Sequence, residues 1–288
     1  MQSRGRASFT TWIGLAAFAV SLAEPYAGAA EVLRIKGSST VAQALAPMVP
    51  VVRDTLGIDM KFFSEGGSSA AIMAVATRTA EIAMSTRALT AEDRANFPER
   101  RLEELQIGTQ ALVCIVPRDV WAAGVRSLTQ DQVMGIYEGA VKNWSRLGGE
   151  DRPIKFYTPA RGHGVWELFV TWLYGDIRRA PLGNGLEVVA TAKDARDLVE
   201  FNAGSLSIAP PQYADRKSVF ALGLKMSDGS IVEPSPENIA SGKYPVTRPL
   251  ILVAGERPTG AVKKLFEFVV SPQAQELISK AGFVSIKP

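Results

Sequence analysis

The sequence predicts an α/β protein, and three observations predict it. Apolar runs of strand length alternate with amphipathic stretches of helix length along most of the chain. Several apolar runs end in glycine followed by hydroxyl or polar residues, the punctuation of a strand turning into a helix. No low-complexity linker or short-period repeat interrupts the alternation, so any two domains are joined by strands that cross between them.

The first residues stand outside this pattern. Arg4 and Arg6 make a short basic start, 12-WIGLAAFAVSLA-23 is an apolar run too short to span a bilayer, and 27-AGA-29 offers the small residues of a cleavage site. Residues 1–29 are expected to be a signal peptide, cleaved after Ala29 or one residue later. No cysteine stands near that point, so no lipid anchor is expected, and the mature chain is expected in the periplasm as a monomer. Without Arg4, Arg6 and Glu24 the formal charge falls from +3 to about +2. The charges are interspersed, which argues against a nucleic-acid partner. Cys114 is the single cysteine, so no internal disulfide is possible, and one histidine with one cysteine cannot build a His/Cys metal cluster. No metal or cofactor is expected.

The elements follow in order. Residues 32–37 (VLRIKG) read as a strand ending in glycine, and 40–54 as a helix disturbed by Pro47 and Pro50. Residues 58–64 alternate as a strand, 68–78 are helical, 81–85 are a strand and 111–117 (ALVCIVP) a buried one. Then come a helix over 128–139, a strand over 154–158, and helices over 164–175 and 193–202. The segment 246–255 reads as a strand, and helices over 258–271 and 272–282 close the chain.

One pattern recurs at strand ends. In 37-GSST-40, 66-GGSS-69 and 162-GHG-164 a glycine-containing loop leads directly into a helix, and 84-MSTR-87 lies at another strand end. A helix start carries unpaired N–H groups and the positive end of the helix dipole, so such a loop suits an anion. Glycine lets the backbone approach, and Ser or Thr adds a hydroxyl donor. The plainer reading is N-capping, for which Ser and Thr are preferred residues. Open α/β sheets take ligands at the carboxyl ends of their strands, which is where these loops fall. An enzyme has little support: Ser, His and Asp are present, but no GxSxG elbow is.

With these stretches in view, the chain resembles the phosphate-binding proteins of ABC importers, which have the type II periplasmic binding protein fold. The matching text is KGSSTVAQALAPM, EGGSSAAI, EIAMSTRAL, SLTQDQVMGIYEGAVKNWSRLGGEDRPIKFYTPARGHGVWELF and YPVTRPLILVAG. The resemblance implies two α/β lobes, from residues 31–108 with 247–288 and from 109–246. It also implies a hinge of two antiparallel crossing strands near 109–117 and 246–254, an oxyanion between the lobes, and an inner-membrane permease as partner.

Carried over by position, Ser39 and Thr40 match the first loop and Ser68 the second. Thr86, followed by Arg87, stands where the family has a proton-accepting aspartate. The second-lobe loop, glycine-serine-glycine-threonine in the family, reads Gly162, His163, Gly164, Val165 here. Pro159 replaces an arginine, with Arg161 two positions on. Replacing the aspartate by Thr86 removes a filter for protonated oxyanions. A protonated His163, with Arg161, would supply charge-assisted donors in place of the lost hydroxyls. The bland alternative is a His163 in a surface turn, stacked on Trp166 or Trp144. A second functional reading keeps the fold but gives it another oxyanion or a small organic ligand, in a sensor or a transport component. Tyr157, Trp166 and Tyr213 suit an organic ligand as well as they suit a core.

Overall fold

Alternation from Val32 onward makes the first strand: in Glu31–Gly37, Leu33, Ile35 and Gly37 are buried while Val32 and Arg34 face out. The structure is a computed structural model that describes residues 30–161, 163–181 and 186–286. The expected signal peptide and Gly162 lie outside the described residues.

The strands in chain order are β1 Glu31–Gly37, β2 Ile58–Phe63, β3 Ile82–Ser85, β4 Glu103–Ala111, β5 Val113–Pro117, β6 Ser127–Leu128 and β7 Lys155–Pro159. They continue as β8 Glu187–Val189, β9 Ser205–Ala209, β10 Val219–Ala221, β11 Gly223–Lys225, β12 Ile231–Val232, β13 Thr247–Ala254 and β14 Val284–Ser285. One sheet has the order β14-β4-β13-β3-β1-β2, a second β10-β5-β9-β7-β8, and a small third β12-β11-β6. In the first sheet β3, β1 and β2 are parallel neighbours, and β13 runs antiparallel to both β3 and β4. In the second sheet β9, β7 and β8 are parallel neighbours.

The two sheets are the floors of two lobes, and the chain crosses between them on paired strands. β4 gives way to β5 at Leu112, whose N–H donates to the Val246 carbonyl at 3.0 Å, and Ala111 lies opposite Thr247. These are the crossing strands expected near 109–117 and 246–254. One core cluster surrounds Trp144, Phe169 and Tyr244 in the second lobe, and two others cover opposite faces of the first sheet.

Pro47 and Pro50 act as expected. The stretch breaks into helix Ser39–Leu45, a 3-10 turn Ala46–Met48 and helix Val49–Leu56, which Gly57 ends at φ 66°. The helix expected from Leu128 starts later, at Gln130, because Ser127–Leu128 pairs with β11. Thr129 and Gln132 close a capping box: the Gln132 N–H donates to Thr129 Oγ1 (3.1 Å), and the Thr129 N–H to Gln132 Oε1 (2.9 Å). Asn143 Oδ1 gathers the N–H groups of Ser145 and Arg152, and buried Trp144 donates through Nε1 to the Gly204 carbonyl. The stretch LTQDQVMGIYEGAVKNWSRLGG, part of the longest segment that carries the resemblance, is therefore scaffold of the second lobe.

Eight strands escaped the sequence pattern: the short β6, β8, β10, β11, β12 and β14, and the longer β9 and β4. β9 is central to the second sheet and fully buried, but its serines break the apolar run. Their hydroxyls are absorbed by backbone carbonyls, Ser205 donating to Asn202 (2.6 Å) and Ser207 to Tyr157 (2.7 Å). β4 begins with Glu103 and Glu104, and only its second half is buried on both faces.

Candidate functional site

The segments that follow β1 in the first sheet and β7, β8 and β9 in the second open onto one cleft of about 450 Å³. Ser39, Thr40 and Gln110 line it from the first lobe, and His163, Gly164, Thr191 and Tyr213 from the second. Gly37 fixes the first loop. Its φ is 130°, and a Cβ there would lie 2.2 Å from the Met84 carbonyl oxygen, so β1 can turn away beside β3 only with glycine.

Capping separates these loops from ordinary helix starts. Five helices elsewhere are closed by side chains: Thr90 accepts from the Asp93 N–H, Thr129 from Gln132, Thr191 from Asp194, Ser235 from Asn238 and Ser271 from Ala274. At the three glycine loops the starts of Ser39–Leu45, Gly67–Ala76 and Gly164–Tyr174 carry no side-chain cap. The N-capping reading of those hydroxyls therefore fails. Val49–Leu56, Arg118–Ala122 and Gly260–Val269 also start without a side-chain cap, so the feature gains weight only at Ser39–Leu45 and Gly164–Tyr174, whose starts line the cleft.

Three of the lining residues are gathered by one that sequence reasoning did not single out, Arg248 on β13. Its guanidinium donates through Nε to Gln110 Oε1 (2.7 Å), and through Nη2 to both Thr40 Oγ1 (2.8 Å) and the Gly164 carbonyl (2.9 Å). Gln110 is its register partner on β4. The Arg248 side chain is 15% exposed, and the carboxylate it pairs with, Glu167, is 3.9 Å away. Burial pulls its pKa below the ordinary arginine value, opposed by Glu167. A buried cation with such distant compensation raises the potential for an anion nearby. Thr40 Oγ1 accepts from Arg248, which leaves its O–H as a donor. The signal for Arg248 was in the sequence: in 246-VTRPLILVAG-255 an arginine opens an otherwise apolar strand, in a position where a core would have no use for it.

The other expected residues divide. Ser68 Oγ accepts from the Thr86 N–H at 3.2 Å, so the second and third loops are joined at the carboxyl ends of β2 and β3. Arg87 and Arg161, two expected ligand cations, are engaged elsewhere. Arg87 is bound to both carboxylate oxygens of Asp93 (2.5 and 3.0 Å) and to Ser69 (3.1 Å), because it anchors the capped helix Ala91–Ala95. Arg161 lies 4.7 Å over the Trp166 ring and donates to the Pro181 carbonyl. That contact takes the Trp166 stack suggested for His163, and Trp144 is only 1% exposed. His163 instead stands exposed at the cleft, in the N-cap position before Gly164, with no side-chain cap bond. Of the three aromatic residues near the site, Tyr157 and Trp166 are buried in the second-lobe core, and Tyr213 lines the cleft.

Comparison with known proteins agrees with this architecture. A family described as the PBP superfamily domain matches residues 24–273. The phosphate-binding protein PstS of Borreliella burgdorferi is 24% identical over 262 residues, covering 89% of this chain and 91% of that protein. The PstS of Bacillus subtilis is 24% identical over 264 residues, covering 88% and 82% respectively. Among solved structures, an ABC-type phosphate transport receptor from Vibrio cholerae superposes with a TM-score of 0.73 at 24% identity, over 90% of this chain and 100% of that one. The architecture of two α/β lobes joined by crossing strands, with the cleft between them, is that of type II periplasmic binding proteins, and the chain belongs to the PBP superfamily domain family.

Proposed function

We propose that this protein captures an oxyanion, most simply phosphate, in the cleft between its lobes and presents it to an ABC permease, acting as a periplasmic monomer without catalysis. The observation that carries the reading is the pairing of Arg248 with Thr40 beside two helix starts without side-chain caps. Arg248 supplies buried positive charge, Thr40 turns a hydroxyl outward, and the N–H groups at Ser39–Leu45 and Gly164–Tyr174 add donors. Ser39, Thr40, Ser68 and Thr86 are the first-lobe ligand set of this proposal, and the backbone at His163 and Gly164 the second-lobe set. The relatives named as phosphate-binding proteins support it. The division into residues 31–108 with 247–288 and 109–246 is part of the same reading, the second boundary falling at the start of β13 and the first within β4, shortly before the crossing at Leu112.

A second reading rests on one observation. Thr86 ends the third loop, and among the described residues that line the cleft none carries a carboxylate. A site built from donors favours negative charge without asking for a proton, so a fully ionised oxyanion such as sulfate would enter as readily as phosphate. Calorimetry on the chain from residue 30 tests both readings with phosphate, sulfate, arsenate and small carboxylates. Phosphate binding alone supports the first reading, and comparable phosphate and sulfate affinities support the second. No binding of any oxyanion removes both. Turnover of a chromogenic ester would overturn the non-catalytic part.

A further inference from the structure

The contacts of Arg248 reach beyond anion capture, because they join elements from both lobes. Its Nη2 donates at once to Thr40, at the start of the first-lobe helix Ser39–Leu45, and to the carbonyl of Gly164, at the start of the second-lobe helix Gly164–Tyr174. Its own backbone belongs to β13, the strand on which the chain returns to the first sheet, and its Nε is held by Gln110 on the other crossing strand. One planar group therefore ties both faces of the cleft to the hinge.

Gly164 makes the tie possible. A Cβ at that position would lie 2.4 Å from Thr40 Oγ1 and 2.7 Å from Arg248 Nη2. Its backbone does not require glycine, since φ lies outside the left-handed range, so the demand for glycine comes only from the approach of the other lobe. A similar approach occurs at a second point, where Gly282 of the first lobe faces Gln212 of the second, a Cβ there falling 2.0 Å from Gln212 Nε2.

We infer that Arg248 is a positioning residue that latches the two lobes together through Thr40 and Gly164, so that the closed arrangement is favoured by the protein's own groups. The latch contributes before any anion arrives, and the anion adds to it. A protein latched in this way loses less freedom on binding than one whose lobes swing apart between captures. The inference does not depend on which anion is bound.

The test is the distance between spin labels on the two lobes, measured by pulsed dipolar spectroscopy without added anion. Labels go on Glu65→Cys and Lys193→Cys, both exposed, and Cys114 at 2% exposure does not compete for label. The doubly labelled parent should show a dominant short-distance population. Arg248→Gln should lower the ratio of short- to long-distance populations by roughly tenfold or more, since the charge-assisted bond from the first lobe to the Gly164 carbonyl of the second is lost. Gly164→Ala should open the protein in the same direction with every bonding group still present. Should Arg248→Gln not fold, Gly164→Ala decides alone. A parent without the short population, or unchanged distances in a folded Gly164→Ala chain, would overturn the latch. Because no anion enters this experiment, failure of the phosphate reading leaves its outcome standing, and the reverse also holds.

Discussion

The two faces of the cleft meet it in different ways. On the first-lobe face Ser39 and Thr40 follow β1, hydroxyl groups that cap no helix, while Ser68 and Thr86 meet each other at the ends of the neighbouring strands. On the second-lobe face, the strand ends carry glycine and histidine after β7 and a closed capping box at Thr191 after β8. The first face supplies side-chain donors, and the second supplies a backbone that can come close. Arg248 stands where they meet: its fork reaches a hydroxyl on one side and a carbonyl on the other.

The largest expected effect breaks that junction. Arg248→Gln should weaken phosphate binding by about 2–3 kcal/mol, roughly 30- to 150-fold, because the buried charge and its bonds disappear together. Calorimetry on parent and variant measures it. A variant binding within threefold of the parent would place the anion's charge partner elsewhere. Next, Thr40→Val keeps shape and removes the hydroxyl, and should cost about 1.5–2 kcal/mol in the same titration. An equal loss in both variants would mean that Arg248 acts chiefly through Thr40.

Stability at low pH separates the first lobe's structural cation from its functional one. Arg87 hydrogen-bonds Asp93 and, against the opposing effect of burial, holds its carboxyl well below the usual carboxylate range, helped by the Thr90 N–H and hydroxyl. A carboxylate depressed in the folded state stabilises fully above its unfolded value, near pH 4, and that contribution is lost as pH falls from there toward the folded value. Asp93→Asn should therefore lower stability at neutral pH by about 1–1.5 kcal/mol and flatten the acid limb of a denaturation series below about pH 4. Its phosphate affinity should stay at the parent value. A loss of affinity would return Arg87 to the binding site.

Ser68→Ala is expected to cost about 1 kcal/mol of affinity with little change in melting temperature. Its hydroxyl accepts from the Thr86 N–H and retains its own proton to donate. The opposite pattern, lower melting and unchanged affinity, would make Ser68 only the bridge between two loops.

Much of this architecture was legible in the sequence for physical reasons. Alternation marked β1 and β2, prolines marked the break at 46–48, and glycine followed by hydroxyls marked the strand ends facing the cleft. What escaped depended on partners far along the chain. β9 hid behind serines whose acceptors lie on β7 and in the loop before it, and β4 behind its acidic start. Arg87 and Arg161 looked like ligands because sequence proximity to a loop does not tell where a long side chain finds its carboxylate or its ring. Arg248 escaped because its role arises from contacts with Gln110 and Thr40, distant in sequence by 138 and 208 residues.

The smallest effect is expected at His163, the only histidine in the chain. Its side chain is exposed at the cleft and caps no helix, so water already satisfies it on the open side. Donors that remain solvated contribute little to binding, in contrast with the buried fork of Arg248. His163→Ala should change phosphate affinity by no more than about 0.5 kcal/mol, and His163→Ser should match it, since neither replacement touches the Gly164 contact. A loss of tenfold or more in both variants would show that the imidazole reaches the anion when it binds. The second face would then supply a side-chain donor of its own, and the contrast between a hydroxyl face and a backbone face would fail at this residue.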